Sequence, residues 1–239
     1  MARKKDSRKA ADSRPTLDGR KVHRIVFVTG KGGVGKSAVA AATALQFARA
    51  GKTVLLVELG SRSFYGPLLG LPVGAATVPW TSSIGQFMAL MRAPRGISQT
   101  AASGPMHRHT ADISALLCDP AICEYRLVTL AEEMPTAEAC EMARELRAET
   151  GIAPRIYCNR LIDLPPQLPA WPPGDPAAPF IRHMARVAAR QRKSLRLLQA
   201  LGDDCDGPVR RLPWIPVTDA QRLLQALADA LDADPGALP

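Results

Sequence analysis

The residues most able to do chemistry form one run, Gly30-Lys31-Gly32-Gly33-Val34-Gly35-Lys36-Ser37. A glycine, four residues, then Gly-Lys-Ser is the spacing of a loop that binds phosphate. Glycines let the backbone approach a phosphate closely and take positive φ. Lys36 would neutralise β- and γ-phosphates, and the Ser37 hydroxyl would hold a magnesium ion bridging them. Lys31 is a second lysine that the generic pattern does not require. Glu58 is the next candidate, a carboxylate closing the apolar run Val54-Leu55-Leu56-Val57.

These side chains need particular elements to hold them. Ile25-Val26-Phe27-Val28-Thr29 has the β-branched, apolar character of a buried parallel strand. Residues 38–50 are strong helix formers, closed by Gly51. Strand, glycine loop and helix turn backbone N–H groups and a helix N-terminus towards a phosphate chain. Val54 to Glu58 reads as a second buried strand. In open parallel sheets ligands sit beyond the carboxyl ends of strands, which puts Glu58 near a nucleotide. A local pairing of Glu58 with Arg62 is the alternative.

Further along, residues 60–86 are rich in Gly, Pro and Ser and read as a long loop. Residues 87–91 form a short helical piece that Ala93-Pro94-Arg95-Gly96 should halt. A helix over 106–117 follows, then a strand over 125–129, a helix from Thr136 to Thr150, and a strand ending at Asn159. The proline-rich stretch 163–179 carries no regular element. A helix from Phe180 to Leu201 holds Arg182, Arg186, Arg190, Arg192, Lys193 and Arg196 and no acid. Its basic face is read as solvent-facing, with an acidic partner as the alternative. A short strand at 209–212 and an amphipathic helix at 220–231 close the chain. Strand–helix alternation predicts an α/β fold, a parallel sheet flanked by helices.

The composition is that of a globular protein, 46% hydrophobic and 22% charged over 239 residues. No apolar run reaches the length of a membrane span. The net charge is +9, and residues 1–24 hold nine Lys and Arg against Asp6, Asp12 and Asp18. Residues 1–21 are therefore read as a disordered basic tail preceding one domain over 22–239. The tail serves solubility in this reading, with weak contact to nucleic acid or an acidic surface as the alternative. Five scattered cysteines with no Cys-x-x-Cys pattern point to a reducing, cytoplasmic setting. Cys118 with Cys123, and His107 with His109, are read as structural or solvated residues rather than metal ligands or catalysts.

With Lys31 near its start, the loop resembles the deviant phosphate loop (deviant Walker A motif) of the SIMIBI group of P-loop ATPases. Gly51 to Glu58, Leu127 to Glu138, and Cys158-Asn159-Arg160-Leu161 narrow this to the arsenite-pump-like (ArsA) family, whose members include factors targeting tail-anchored proteins. Ser83-Ile84-Gly85-Gln86 is similar to that family's second switch segment. The resemblance implies a magnesium-dependent ATPase working as a face-to-face homodimer on a protein client. Lys31 would reach the partner's nucleotide and stabilise the transferring phosphoryl group. Asn159 would read the adenine, and the loop around Pro216 would pack against the base.

Departures from the family pattern shape the expectation. A water-orienting Asp would stand where this chain has Gly60, and the switch Asp where it has Trp80. Only about 20 residues separate Glu58 from the second switch, so the helical client-binding region and one central strand are expected to be shortened or missing. The lysines and Ser37 remain. The expectation is ATP binding with slow or absent hydrolysis, Glu58 being the carboxylate left to orient a water. A nucleotide-binding scaffold without turnover, and a positioning ATPase of the ParA or MinD kind, are the alternatives.

Overall fold

The computed structural model describes residues 16–17, 20–21, 24–58, 64–65, 84–100, 103–165 and 174–233. Within the stretch read as a tail, β1 (Thr16–Leu17) and β2 (Arg20–Lys21) pair as antiparallel dipeptides. The main sheet has four parallel strands in the order β3 (Ile25–Gly30), β4 (Cys123–Leu130), β5 (Arg155–Leu161) and β6 (Arg210–Pro213). The order follows the sequence, and each crossover carries at least one helix, as parallel pairing requires. The helices are α1 (Lys36–Arg49), α2 (Ile84–Thr100), α3 (Pro105–Leu117), α4 (Glu133–Thr150), α5 (Ala178–Gln199) and α6 (Ala220–Asp232).

Side chains alternate across the central strands, so each strand supplies two cores. Tyr125 and Leu127 of β4 with Ile156 and Cys158 of β5 face one side, where Met88 of α2, Met142 and Leu146 of α4 and Leu198 of α5 cover them. Val128 and Tyr157 face the other side, against Val39 and Ala42 of α1 and Leu227 and Leu231 of α6. Phe27 of β3 stacks on Tyr125 at 5.2 Å and meets Phe87 of α2 edge-on at 6.2 Å.

The alternation also buries a charge. Arg126 is fully buried beneath α1. Its Nε donates to Glu124 Oε1 at 2.7 Å, and its Nη1 donates to Thr43 Oγ1 at 3.0 Å. The guanidinium lies 5.5 Å from the Phe47 ring centre and 5.3 Å from that of Tyr157. Glu124 also pairs with Arg24 at 2.7 Å and Arg155 at 3.6 Å. Burial pushes the Glu124 carboxyl up, but Arg126, Arg155 and Arg24 outweigh it and hold the group below its usual value.

Two sequence expectations fail here. Val54 to Glu58 is not a buried strand: residues 52–58 have no ladder partner, and Leu55 and Val57 are 87% and 64% exposed. Apolar residues alone do not make a strand, and among the described residues β3 is paired only with β4. The second failure is at Pro94, which does not halt α2; the helix runs 17 residues through it. Proline removes one backbone donor, but Met88 and Met91 anchor the preceding turns in the core. The hydroxyls of Ser98 and Thr100 bond back to the Arg95 and Gly96 carbonyls at 2.9 and 2.6 Å. Gly60, Trp80 and Ser83 lie outside the described residues, whereas Ile84 and Gln86 fall in the first turn of α2.

Candidate functional site

The loop leaves β3 at Gly30, whose φ is 146°. A Cβ there would stand 2.1 Å from the Val128 carbonyl oxygen, so only glycine lets β3 and β4 run together to this point. The backbone turns again at Gly33 (φ 82°) and Gly35 (φ 92°). Gly35 is the N-cap of α1, and no side chain caps the helix. The first intrahelical bond there is Val39 N–H to Gly35 carbonyl, at 3.0 Å. The N–H groups ahead of it lie at the positive end of the helix dipole, where an anion is favoured.

Lys36 folds back and donates from Nζ to the Lys31 carbonyl at 2.6 Å, closing the loop on itself. Its ammonium is partly buried, and desolvation lowers its pKa from 10.5. Desolvation weakens a lone cation and rewards a nearby anion, the balance a phosphate lysine needs.

Asn159 stands at the end of β5, opposite Leu130 in the ladder. It is buried, its Nδ2 donates to the Val34 carbonyl at 3.0 Å, and its Oδ1 accepts from Arg160 N–H at 2.9 Å. Arg160 is in the left-handed region with φ 57°. The amide thus pins the loop, and a Cβ on Gly35 would lie 2.5 Å from its nitrogen. Pro216 lies in the exposed connection between β6 and α6, next to Ile215, which packs on the cluster containing Val34.

Lys31 turns away from the loop and pairs with Glu138 of α4 through Nζ and Oε1. The other oxygen of Glu138 is buried without a hydrogen-bond partner. Glu58 accepts from the Phe64 N–H at 2.8 Å. Beside it, burial pushes the Tyr65 phenol up to about 12; the Glu58 charge adds to the rise and a hydrogen bond with Ser37 opposes it. Glu58, Tyr65 and Ser37 are therefore neighbours.

The sequence reading gathered the loop, Glu58 and Asn159 and missed Tyr65 and Glu138 as site residues. Glu138 closes the segment on which the resemblance rests, which was its only signal; nothing in the sequence marked Tyr65. His107 sits on α3 with a ring nitrogen 2.8 Å from the Ser98 carbonyl oxygen. Among the described residues no group of three or more His, Cys, Asp or Glu is placed to hold a metal, and no helix is long and apolar enough to cross a membrane. A cavity of about 200 Å³ lined by Leu161, Asp163, Gln191 and Arg192 lies between β5 and α5 and includes none of residues 30–37.

Residues 23–60 match the family model described as anion-transporting ATPase. The arsenical pump-driving ATPase of Acidiphilium multivorum is 44% identical over 57 residues, 24% of this chain and 10% of the relative. An arsenical pump-driving ATPase of Escherichia coli is 38% identical over 74 residues, 31% of this chain and 12% of the relative. The ATPase BagA of Mycobacterium tuberculosis is 51% identical over 49 residues, 20% of this chain and 14% of the relative. The match is thus a short one, covering about a tenth to a seventh of each relative's length. The matched residues are those that build strand β3, the phosphate loop and helix α1, so the similarity to the anion-transporting ATPases is confined to this segment of a parallel α/β fold.

Proposed function

We propose that the chain binds ATP with magnesium at residues 30–37, and that it hydrolyses ATP slowly or not at all. The observation that carries this reading is the uncapped N-terminus of α1 behind a loop whose Gly30 and Gly35 leave no room for a Cβ. The cradle fits a phosphate chain. Lys36 would neutralise the β- and γ-phosphates, the backbone N–H groups from Gly32 to Ser37 would receive their oxygens, and Ser37 would hold the magnesium ion. Bound there, the metal supplies charge neutralisation across the two phosphates. Asn159, which holds the loop through Val34, would bind the adenine, and the loop around Pro216 would pack against the base.

The contacts of Glu58 and Lys31 support the slow-turnover reading. Glu58, the carboxylate proposed to orient a water, accepts the Phe64 N–H. Lys31, proposed to stabilise charge across a homodimer, is held by Glu138 of its own chain. Both groups must be released before they serve a reaction, which favours a cycle gated by dimer assembly. The same observation supports the second reading, a nucleotide-binding scaffold without turnover. The five cysteines are all free thiols, which supports a cytoplasmic setting.

The test is to measure ATP binding and hydrolysis side by side for the parent chain, Lys36→Ala and Lys31→Ala. The expected outcome is loss of binding in Lys36→Ala, retained binding in Lys31→Ala, and parent turnover well below about 1 s⁻¹, the low end of competent enzymes. Parent turnover at or above that rate overturns the slow-cycle reading. Unchanged binding in Lys36→Ala overturns the site itself. Residual hydrolysis lost in Lys31→Ala separates the ATPase from the scaffold, which shows none in any variant.

A further inference from the structure

Helix α5 carries Arg182, Arg186, Arg190, Lys193 and Arg196 at exposed positions and has no acid in its 22 residues. At about 100° per residue, these five side chains fall within about 120° of one another. The opposite side of the helix is the buried one, with Ala188, Ser194, Leu195 and Leu198 against the core. From Arg182 to Arg196 the row extends about 21 Å along the axis, at about 1.5 Å per residue. The sixth cation, Arg192, lies outside the row and donates to the Leu164 carbonyl at 3.2 Å.

Elsewhere some partly exposed arginines have an acid partner, whereas the exposed Arg95, Arg108, Arg160, Arg211 and Arg222, like the row on α5, have none among the described residues. Arg49 pairs with Asp229, Arg92 with Glu149, Arg144 with Asp204 and Arg155 with Asp206. None of the five cations on α5 has an ion-pair partner among the described residues. A helix that concentrates five like charges on one side, at spacings where they repel, forgoes stability that surface pairing would return. Interaction with an external polyanion removes that repulsion.

We propose that this row on α5 is a docking surface for the phosphate backbone of duplex nucleic acid, read without regard to sequence. A duplex presents one negative charge per about 1.7 Å of axis, so a straight basic row of this length meets phosphates along all of it. The alternatives fit less well. A helix lying on an anionic bilayer inserts an apolar face, and here that face is buried in the protein, with Leu197 the one large apolar residue inside the row, 56% exposed. A protein partner is held by buried aromatic and apolar anchors, and the row has no Trp or Tyr. The surface is also separate from the phosphate loop. Leu195 and Leu198 of α5 pack in the core on one side of the sheet, whereas α1 packs in the core on the other.

The experiment is fluorescence anisotropy of the full chain with a labelled 20-base-pair duplex of mixed sequence, titrated from 50 to 200 mM salt. It compares the parent with Arg182→Ala/Arg186→Ala/Arg190→Ala and with Arg3→Ala/Lys4→Ala/Lys5→Ala in the basic N-terminal stretch. Each phosphate contact contributes about 0.9 to the slope of log affinity against log salt. Five contacts give an affinity ratio of about 500 between the two salt concentrations. Removing three lowers that ratio by about 40-fold, whatever the N-terminal stretch adds. Circular dichroism and ATP-analogue binding should be unchanged, because the substituted side chains are exposed and lie away from the loop.

Three outcomes overturn the proposal: no duplex binding at 50 mM salt, binding unaffected by the triple change on α5, or loss that follows only the N-terminal cations. Vesicles containing phosphatidylserine supply the last arm. Capture by vesicles without capture by duplex assigns the row to a membrane instead and also overturns the proposal.

Discussion

Replacing Glu138 by Gln should tighten binding of magnesium·ATP, and the size of the effect follows from the exposure of the pair it breaks. The Lys31 and Glu138 side chains are 42% and 27% exposed. At that exposure solvent screens the pair, and its contribution is about 0.4–1 kcal/mol rather than the value of a dry contact. If Lys31 must leave Glu138 to meet phosphate, this energy opposes nucleotide binding, and Glu138→Gln should improve the dissociation constant by about 2–5-fold. Removing a carboxylate near a phosphate site also helps by simple charge, so one substitution does not isolate the pair. The cycle with Lys31→Met does. In that background the charge effect persists and the pair effect vanishes, leaving a coupling of about 0.4–1 kcal/mol. Calorimetry with magnesium and a non-hydrolysable ATP analogue measures all four corners. Equal effects of Glu138→Gln in both backgrounds, or weaker binding when Lys31 is intact, would refute the idea that Glu138 withholds Lys31 from nucleotide.

Three further substitutions test the frame around the site. Glu124→Gln leaves the buried Arg126 charge uncompensated and should cost about 3–5 kcal/mol, lowering Tm by about 6–20 °C for a chain of this size. The lowered pKa of Glu124 means its stabilisation is complete above the unfolded value of 4.5 and is lost as pH falls through the folded value; parent Tm should therefore drop below about pH 4.5 more steeply than that of Glu124→Gln, and parallel acid profiles would count against it. Gly30→Ala drives a Cβ to 2.1 Å from the Val128 carbonyl at a φ of 146°, and denaturant unfolding should show a loss of about 3 kcal/mol or more; a loss below about 1 kcal/mol would mean that β3 and β4 separate easily. Tyr65→Phe removes a hydroxyl that neighbours Ser37 and would compete with magnesium for it, so nucleotide affinity in magnesium should rise, by up to the several-fold that one hydrogen bond is worth, and a fall would make Tyr65 a supporting rather than a competing group.

The loop was legible because its meaning is local. Gly30, Gly33 and Gly35 take positive φ as their spacing implies, and Lys36 and Ser37 open α1 where a helix N-terminus was expected. The strands ending at Leu130 and Leu161 and helices α4, α5 and α6 were legible for the same reason, since period-2 and period-3.6 patterns record which face is buried. Val54 to Val57 misled because apolar character reports a wish for burial, not the presence of a neighbouring strand. Pro94 misled because the loss of one donor was weighed without the core contacts of Met88 and Met91 on the same helix.

The sequence alone determined the glycine-and-lysine loop pattern of residues 30–37, the α/β class and the basic content of α5, all properties of residues close together in the chain. Only the tertiary structure decided what those residues touch. Arg126 meets Thr43 from 83 positions away, Lys31 meets Glu138 across 107, and Asn159 meets Val34 across 125. These contacts fix the state of the site: the lysine is held by its own chain and the asparagine is committed to the loop. Contacts at such separations depend on strand order, register and helix packing together, and no local pattern encodes them.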